Sequence, residues 1–194
     1  MHLSSEFAEI VPDTRFEIDL KYASTDNFVG ENMYRDFNRA YLHREAKEKL
    51  DHAAEIIQRE HPGYRLLIYD ALRPRSVQRI LWDKVKGTHQ EKYVADPDKG
   101  SMHNFGMAVD LTVIDEKGVP LDMGTGFDEF SDASQPSRED EFLANGTLST
   151  RHITNRLILR HAMEASGFIQ LPHEWWHFDA APKAHVRAHY QIVE

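Results

Sequence analysis

The sequence predicts an α+β fold, with a central, mostly antiparallel sheet and flanking helices. Its 194 residues are enough to bury one hydrophobic core. Apolar residues make up 41% and charged residues 28%, as in ordinary globular proteins. Segments with helical and strand periodicity are mixed, without the βαβ rhythm that predicts a parallel sheet. We therefore expect residues 1–194 to form a single domain.

The first elements are a strand, a loop and a long helix. Residues 16–22 alternate apolar and polar side chains, a pattern typical of a strand. Residues 26–39 are rich in Asn, Gly and aromatic residues and predict a loop. Apolar residues then recur at helical spacing over 43–60, and the helix is expected to end before His61-Pro-Gly63.

The next segment is expected to form a buried strand followed by a second helix. Residues 64–70 are a short, mostly apolar run. A helix is predicted over 76–86, with Ser76 as its N-cap because a Ser side chain can accept a backbone N–H there. The polar residues 87–102 predict a loop.

The second half of the chain predicts two strand regions, one helix and a long irregular segment. Residues 106–114 alternate as a strand, whereas 124–150 show little periodicity, which is typical of a functional or mobile loop. Apolar residues at helical spacing predict a helix over 154–166, closed by Gly167. Residues 168–178 are expected to form the last strand region, interrupted by a proline.

The composition excludes several classes of function. A net charge of −9, without a basic patch, repels phosphate backbones, so no nucleic-acid partner is expected. No run approaches the roughly 20 apolar residues that span a bilayer, so no membrane partner is expected. The absence of cysteine excludes disulfides and thiolate metal sites. No signal peptide is visible, so a cytoplasmic location is expected, with the periplasm left open in case a leader has been removed.

Two polar clusters carry a ligand set suited to catalytic zinc. The first contains His103 and Asp110, and the second contains Glu174 and His177. Two His and one Asp leave one position of a tetrahedral zinc open for water, and Glu174 can accept that water's proton. Gly106 allows the chain to turn, so that His103 can lie over the strand face that carries Asp110. Taken singly, these residues would more often be a salt-bridged Asp and a surface His, but together they favour a hydrolytic metal site.

The second cluster also spells a different metal motif. His173-Glu174-Trp-Trp-His177 matches the helical zincin pattern, in which two His one turn apart bind zinc. Pro172 and Pro182 leave room for little more than two helical turns, and the residues that extend the known zincin motifs are absent. We therefore expect a strand entry here, with His173 outside the ligand set.

Several segments together resemble the D-alanyl-D-alanine dipeptidases of the VanX type, within the wider group of zinc D,D-peptidases and Hedgehog-like zinc folds. The segments that carry the resemblance are Lys21-Tyr22-Ala23, Asp26-Asn27-Phe28, Asp70-Ala-Leu-Arg73-Pro74, Ser101 to Thr112, Met123 to Asp128, Ser166-Gly-Phe168 and Glu174-Trp-Trp-His177. The metal motifs alone indicate the wider group, and the remaining segments point to the dipeptidase branch. The resemblance implies a zinc site in a cleft on the sheet.

The resemblance also implies a role for each of eight residues. One zinc ion per chain would be held by His103, Asp110 and His177. Glu174 would be the general base, and Arg73 would face the carbonyl oxygen of a small D,D-dipeptide substrate. Around the substrate amine would lie Ser101, Tyr22 and Asp128. The chain departs from some relatives at Leu72 and at Asn104-Phe105, and these departures bear on fine specificity rather than on the chemistry.

Alternatives of two kinds remain at this point. A D,D-carboxypeptidase or another muropeptidase would use the same metal and base in an open cleft, whereas closure by residues 124–150 would favour a dipeptide. A zinc-dependent binding module of the same fold would have no catalytic role, although Glu174 argues against it. Arg73 could instead form a structural ion pair with Asp70. The sequence leaves open a homo-oligomer and the biological role of the reaction.

Overall fold

A computed structural model describes residues 3–194, so that Met1 and His2 of the predicted 1–194 domain lie outside the described residues. Within that range the strands are β1 (Phe7–Glu9), β2 (Phe16–Ile18), β3 (Tyr41–His43), β4 (Arg65–Asp70), β5 (Ala108–Ile114), β6 (Ile169–Gln170) and β7 (His177–Asp179). The α-helices are α1 (Arg44–Glu60), α2 (Arg75–Val85), α3 (Glu139–Ala144), α4 (Thr150–Ala165) and α5 (Lys183–His189).

The central sheet has five strands in the order β2-β4-β5-β7-β6. Only the pair β2 and β4 is parallel, and the other three pairs are antiparallel. The short strands β1 and β3 form a separate antiparallel pair. This arrangement confirms the predicted α+β class with a mostly antiparallel sheet.

The core lies between the sheet and two helices. Every residue of β5, the middle strand, is buried. Helix α1 packs against α4 and β4 with its apolar face, which explains why its buried residues recur at helical spacing. Those residues are Ala46, Leu50, Ala53, Ala54, Ile56 and Ile57. Among residues 3–194, none of the helices has the length and apolar character to cross a membrane.

The sheet register places polar residues of three strands in one row. Asp110 in β5 lies opposite Asp70 in β4 and opposite His177 in β7. Pairing between β4 and β5 shifts between Ile68 and Asp70, so that Tyr69 is an extra, bulged residue. Side chains directly opposite each other in an antiparallel pair share a face of the sheet. The bulge therefore brings the Asp70 carboxylate to the side of the sheet that carries Asp110.

Several element boundaries differ from the sequence prediction. The strand predicted over 16–22 ends at Ile18, and residues 21–23 form a 3-10 turn instead. Ser76 is not the N-cap of α2, because the helix begins at Arg75 and Pro74 holds the extended cap conformation. In the irregular segment 124–150, the structure adds the short helix α3.

The last helix and strand region also differ from expectation. Helix α4 begins at Thr150 rather than 154, because the Ser149 side chain accepts the backbone N–H of His152 at 3.2 Å and caps the helix. In the strand region predicted over 168–178, only β6 and the first two residues of β7 are paired in the sheet. The residues between these two strands form turns.

Gly106 connects the segment that carries His103 to strand β5. It ends a 3-10 helix over Met102–Phe105 in the left-handed conformation, with φ of 65°. A Cβ atom at this position would lie 2.8 Å from a ring carbon of Phe7 and 2.9 Å from the backbone nitrogen of His43. Both the conformation and the close backbone contact therefore require glycine.

We predict that Gly106→Ala destabilises the protein more than Gly146→Ala does. Gly146 also has a left-handed backbone, with φ of 78°, but a Cβ there would meet no atom within 4 Å. The Gly146 variant should therefore lose only the conformational cost, about 1–2 kcal/mol. Urea unfolding of both variants gives the two free energies of unfolding. Equal losses would show that the contact at Gly106 relaxes without cost.

Candidate metal centre

Three side chains converge on one point beside the polar row of the sheet. His103 Nε2 lies 3.1 Å from His177 Nδ1 and 3.2 Å from Asp110 Oδ2. His177 Nδ1 lies 2.9 Å from Asp110 Oδ1. All three residues are buried, and their facing atoms are close enough together to share one metal ion. The structure thus brings together the three residues that the sequence predicted as ligands.

The outer nitrogen of each imidazole has its own partner. His103 Nδ1 lies 2.7 Å from the carbonyl oxygen of Ala71, and His177 Nε2 lies 2.8 Å from Asp179 Oδ1. Because both partners are acceptors, each outer nitrogen carries the proton and donates it. With a proton on each outer nitrogen, the inner nitrogen of each imidazole is the one that can offer a lone pair to a metal ion at the shared point, which is the arrangement that metal-binding histidines use.

The electrostatics of the cluster favour a bound cation. Burial alone lowers the pKa of His177, but Asp179 and Asp110 outweigh burial and raise it to about 10. Burial raises the pKa of Asp110, yet the two imidazoles His103 and His177 bring it well below its usual range. The carboxylates thus stabilise positive charge at this point, and a metal ion can supply that charge in place of a proton.

The loop after β4 is tied to the 3-10 helix that carries His103. The backbone N–H of Arg73 donates to the His103 carbonyl at 3.0 Å, and the Asn104 side chain donates to the Arg73 carbonyl at 2.7 Å. Asn104 Oδ1 also accepts the backbone N–H of Ser101 at 2.7 Å. Asn104 therefore fixes the position of Arg73 relative to the metal cluster.

The Arg73 guanidinium lies beside the metal cluster and has a partner at each nitrogen. Nε donates to Asp70 Oδ2 at 2.8 Å, and Nη1 donates to Gln78 Oε1 at 2.9 Å. Nη2 lies 2.6 Å from Asp70 Oδ2 and 3.7 Å from Asp110 Oδ2. The guanidinium carbon also lies 4.8 Å from the centre of the Tyr22 ring. The ion pair with Asp70 is thus present, and it holds the cation in the wall of the cavity.

Glu174 lies next to the metal cluster, whereas His173 does not. Glu174 Oε2 is 4.0 Å from His177 Nδ1. Burial raises the pKa of Glu174 to about 7, with His177 opposing and Asp110 reinforcing the shift. His173 is exposed and lies in a turn rather than a helix, so the zincin arrangement is not formed.

The residues expected around the substrate amine lie in the same cavity wall. Tyr22 donates its hydroxyl proton to Asp128 Oδ2 at 2.8 Å. Burial raises the pKa of Asp128 well above its usual value; the Tyr22 hydrogen bond opposes the shift, and the nearby carboxylates add to it. Ser101 Oγ accepts the backbone N–H of His103 at 3.3 Å, which leaves the Ser101 hydroxyl proton free to donate.

The cavity is small and is bordered by an aromatic arch, defined as Phe28, Tyr93 and Phe130. Its volume is about 110 Å³. The ring of Phe130 lies 5.1 Å from Phe28 and 5.1 Å from Tyr93, so the arch joins the three predicted loops 26–39, 87–102 and 124–150. Residues 124–150 thus contribute to closing the site, through Phe130 and Asp128.

Sequence reasoning did not assign a role to three residues that hold the site together. Gln78 and Asn104 fix Arg73, and Asp179 orients His177. Asp179 carried a signal, since a carboxylate two residues after His177 in a strand shares its face. The two amides carried none: Asn104 is 31 residues from Arg73, and Gln78, although only five residues from it, follows no spacing that predicts such a contact.

Comparison with known proteins places nearly the whole length of the chain in one peptidase family. A family profile described as D-ala-D-ala dipeptidase matches residues 4–194. A D-alanyl-D-alanine dipeptidase of Escherichia coli (strain K12) is 38% identical over 90% of this chain and 82% of its own length. Relatives with the same name from Enterococcus faecium and Streptomyces coelicolor are 33% and 29% identical; they cover 88% and 94% of this chain, and the matches span 87% and 95% of the relatives. The chain therefore belongs to the D-ala-D-ala dipeptidase family of metallopeptidases.

Proposed function

We propose that this protein hydrolyses D-alanyl-D-alanine to two D-alanines and uses one zinc ion per chain. The observation that carries the proposal is the convergence of His103, Asp110 and His177 beside Glu174, in a chain of this family. We further propose that residues 1–194 act as one catalytic domain. The names of the relatives support the substrate, and the chemistry of the side chains supports the mechanism.

The donor set suits zinc. Two imidazole nitrogens and one carboxylate oxygen are ligands that catalytic zinc sites use, and they leave a coordination position for water. When bound, zinc lowers the pKa of such a water to about 7 and polarises a carbonyl oxygen. The hydrogen bonds from the outer nitrogens to Ala71 and Asp179 fix the imidazoles in the orientation this requires.

Glu174 is proposed as the general base. Its carboxylate lies beside the ligand His177, where it can accept the proton of an attacking water and pass it to the departing amine. A carboxyl group whose pKa lies near neutrality can do both within one cycle, because it binds and releases a proton with little free-energy difference.

Arg73 is proposed to stabilise the negative charge that develops on the carbonyl oxygen. Its guanidinium lies 3.7 Å from the ligand Asp110 and stays charged, since Asp70 compensates its burial. The bonds to Asp70 and Gln78 hold the group in place before the reaction, so no reorganisation is needed when the charge appears.

Asp128, Tyr22 and Ser101 are proposed to contact the substrate, with Asp128 facing its ammonium group. A buried carboxylate is costly unless it has a partner, and an ammonium ion supplies one. The small cavity and its aromatic border favour a dipeptide over a longer chain. This observation favours the dipeptidase over a D,D-carboxypeptidase with an open cleft.

A substrate panel tests the proposed activity. The zinc-loaded enzyme should release D-alanine from D-alanyl-D-alanine, and a chelator should abolish the release until zinc is restored. L-alanyl-L-alanine and a muramyl pentapeptide that ends in D-alanyl-D-alanine should be hydrolysed much more slowly. Equal rates on the dipeptide and on the pentapeptide would contradict the closed cavity, and activity in chelator would contradict the metal.

A pair of histidine variants tests the ligand set. His103→Ala should lose bound zinc, because one of three protein ligands is removed. His173→Ala should retain one zinc per chain, because that imidazole is exposed and is not among the three grouped ligands. Metal content after dialysis, measured by plasma mass spectrometry, distinguishes them. Loss of zinc in the His173 variant would show that the ligand set is wrong.

A conservative variant isolates the proposed base. Glu174→Gln should lower kcat by about 10²–10⁴-fold, because the amide cannot accept the proton of water. Zinc content should be unchanged, since Glu174 is not among the three grouped ligands. Steady-state kinetics and metal analysis of the same preparation check both points. A variant that keeps zinc and most of its turnover would require another base.

A further inference from the structure

Helix α5 brings two basic side chains to the wall of the active-site cavity. Among the described residues, the arginine and lysine side chains that line this cavity are Arg73, Lys183 and Arg187. Lys183 and Arg187 are four positions apart in α5, so they lie on one face of that helix. None of the roles proposed above involves either residue.

The three cations differ in how far they are already neutralised. Every nitrogen of the Arg73 guanidinium has a partner within 3 Å, and two of them contact Asp70. Lys183 lies 3.9 Å from Asp179, beyond hydrogen-bond distance. Arg187 contacts the carbonyl oxygen of Gly100 at 3.4 Å. Lys183 and Arg187 therefore keep donors available for a further anion.

The position of α5 is fixed next to the metal cluster. The helix begins four residues after Asp179, the partner of the ligand His177. Val186, between the two cations, is fully buried and anchors the helix to the core. The charge of Lys183 acts on Glu174, whose pKa it lowers. The cations are thus close to the point of hydrolysis.

A dipeptide places two charges close to the bond that is cleaved. Its ammonium group has a proposed partner in Asp128, and its carboxylate follows the scissile bond by a single residue. In a cavity with several carboxylates, that group would be repelled unless a cation faced it. Arg73 is proposed to face the carbonyl oxygen of the scissile bond, which leaves the two cations of α5 for the carboxylate.

We propose that Lys183 and Arg187 bind the free carboxylate of the substrate. They are then specificity-determining residues that select peptides ending one residue after the scissile bond. The inference rests on the proposed function, and it names a recognition element for the end of the dipeptide that leaves as the amine.

The test compares D-alanyl-D-alanine with D-alanyl-D-alaninamide, which lacks the carboxylate charge. In the double variant Lys183→Gln with Arg187→Gln, the KM for the dipeptide should rise roughly tenfold, the scale of two charge contacts at exposed positions. The kcat should change little when it is measured well above pH 7, where Glu174 is ionised with or without the charge of Lys183. The inhibition constant of the amide, measured as a competitor, should stay the same in both enzymes.

Control variants separate charge from structure. Exchanging the two cations, Lys183→Arg with Arg187→Lys, should restore most of the dipeptide KM. Lys117→Gln removes an exposed charge from the turn after β5 and should leave both constants unchanged. Arg187→Gln alone, with an expected rise of about threefold, keeps the test valid if the double variant does not fold.

The outcomes distinguish this inference from the proposed function. A parallel weakening of dipeptide and amide, or no change for the dipeptide, would overturn the carboxylate site. A zinc-loaded wild-type enzyme that does not hydrolyse D-alanyl-D-alanine would overturn the proposed function itself, before any variant is compared.

Discussion

The pairing of Asp110 with residues of both neighbouring strands is the constraint on which the site depends. Asp110 lies in a strand whose residues are all buried, and a carboxylate there is unstable without partners. The sheet supplies His177 on one side, and Arg73, held by Asp70, on the other. A shift of the register by one residue would turn one of these partners to the opposite face. The same pairing that satisfies the buried charge therefore builds the ligand set.

The charged side chains of the site form one continuous network in which positive and negative groups alternate. From Asp110 this network runs through His177 to Asp179 in one direction. In the other direction it runs through Arg73 to Asp70, which also accepts the hydroxyl proton of Tyr34. Each buried group has a partner, so the network is stable and its geometry is unique. The Tyr69 bulge is part of this design, because it aligns Asp70 with the row.

The sequence predicted the features that depend on local pattern. Helix α1, the buried strand β5 and the fold class follow from periodicity, and the three clustered residues follow from motif spacing. It did not predict the start of α2 at Arg75 or the early start of α4, because a cap is chosen by the backbone conformation of a single residue. The sequence also did not predict that the amides Gln78 and Asn104 hold Arg73 in place, because these contacts are set by the tertiary fold.

The aromatic arch has a consequence for the turnover cycle. Phe28, Tyr93 and Phe130 meet edge-to-face or stacked, and none of them belongs to the central sheet. Any movement of the rings that admits substrate or releases products would break no strand pair. Asp110 and His177 would therefore stay in register while the border of the cavity changes shape.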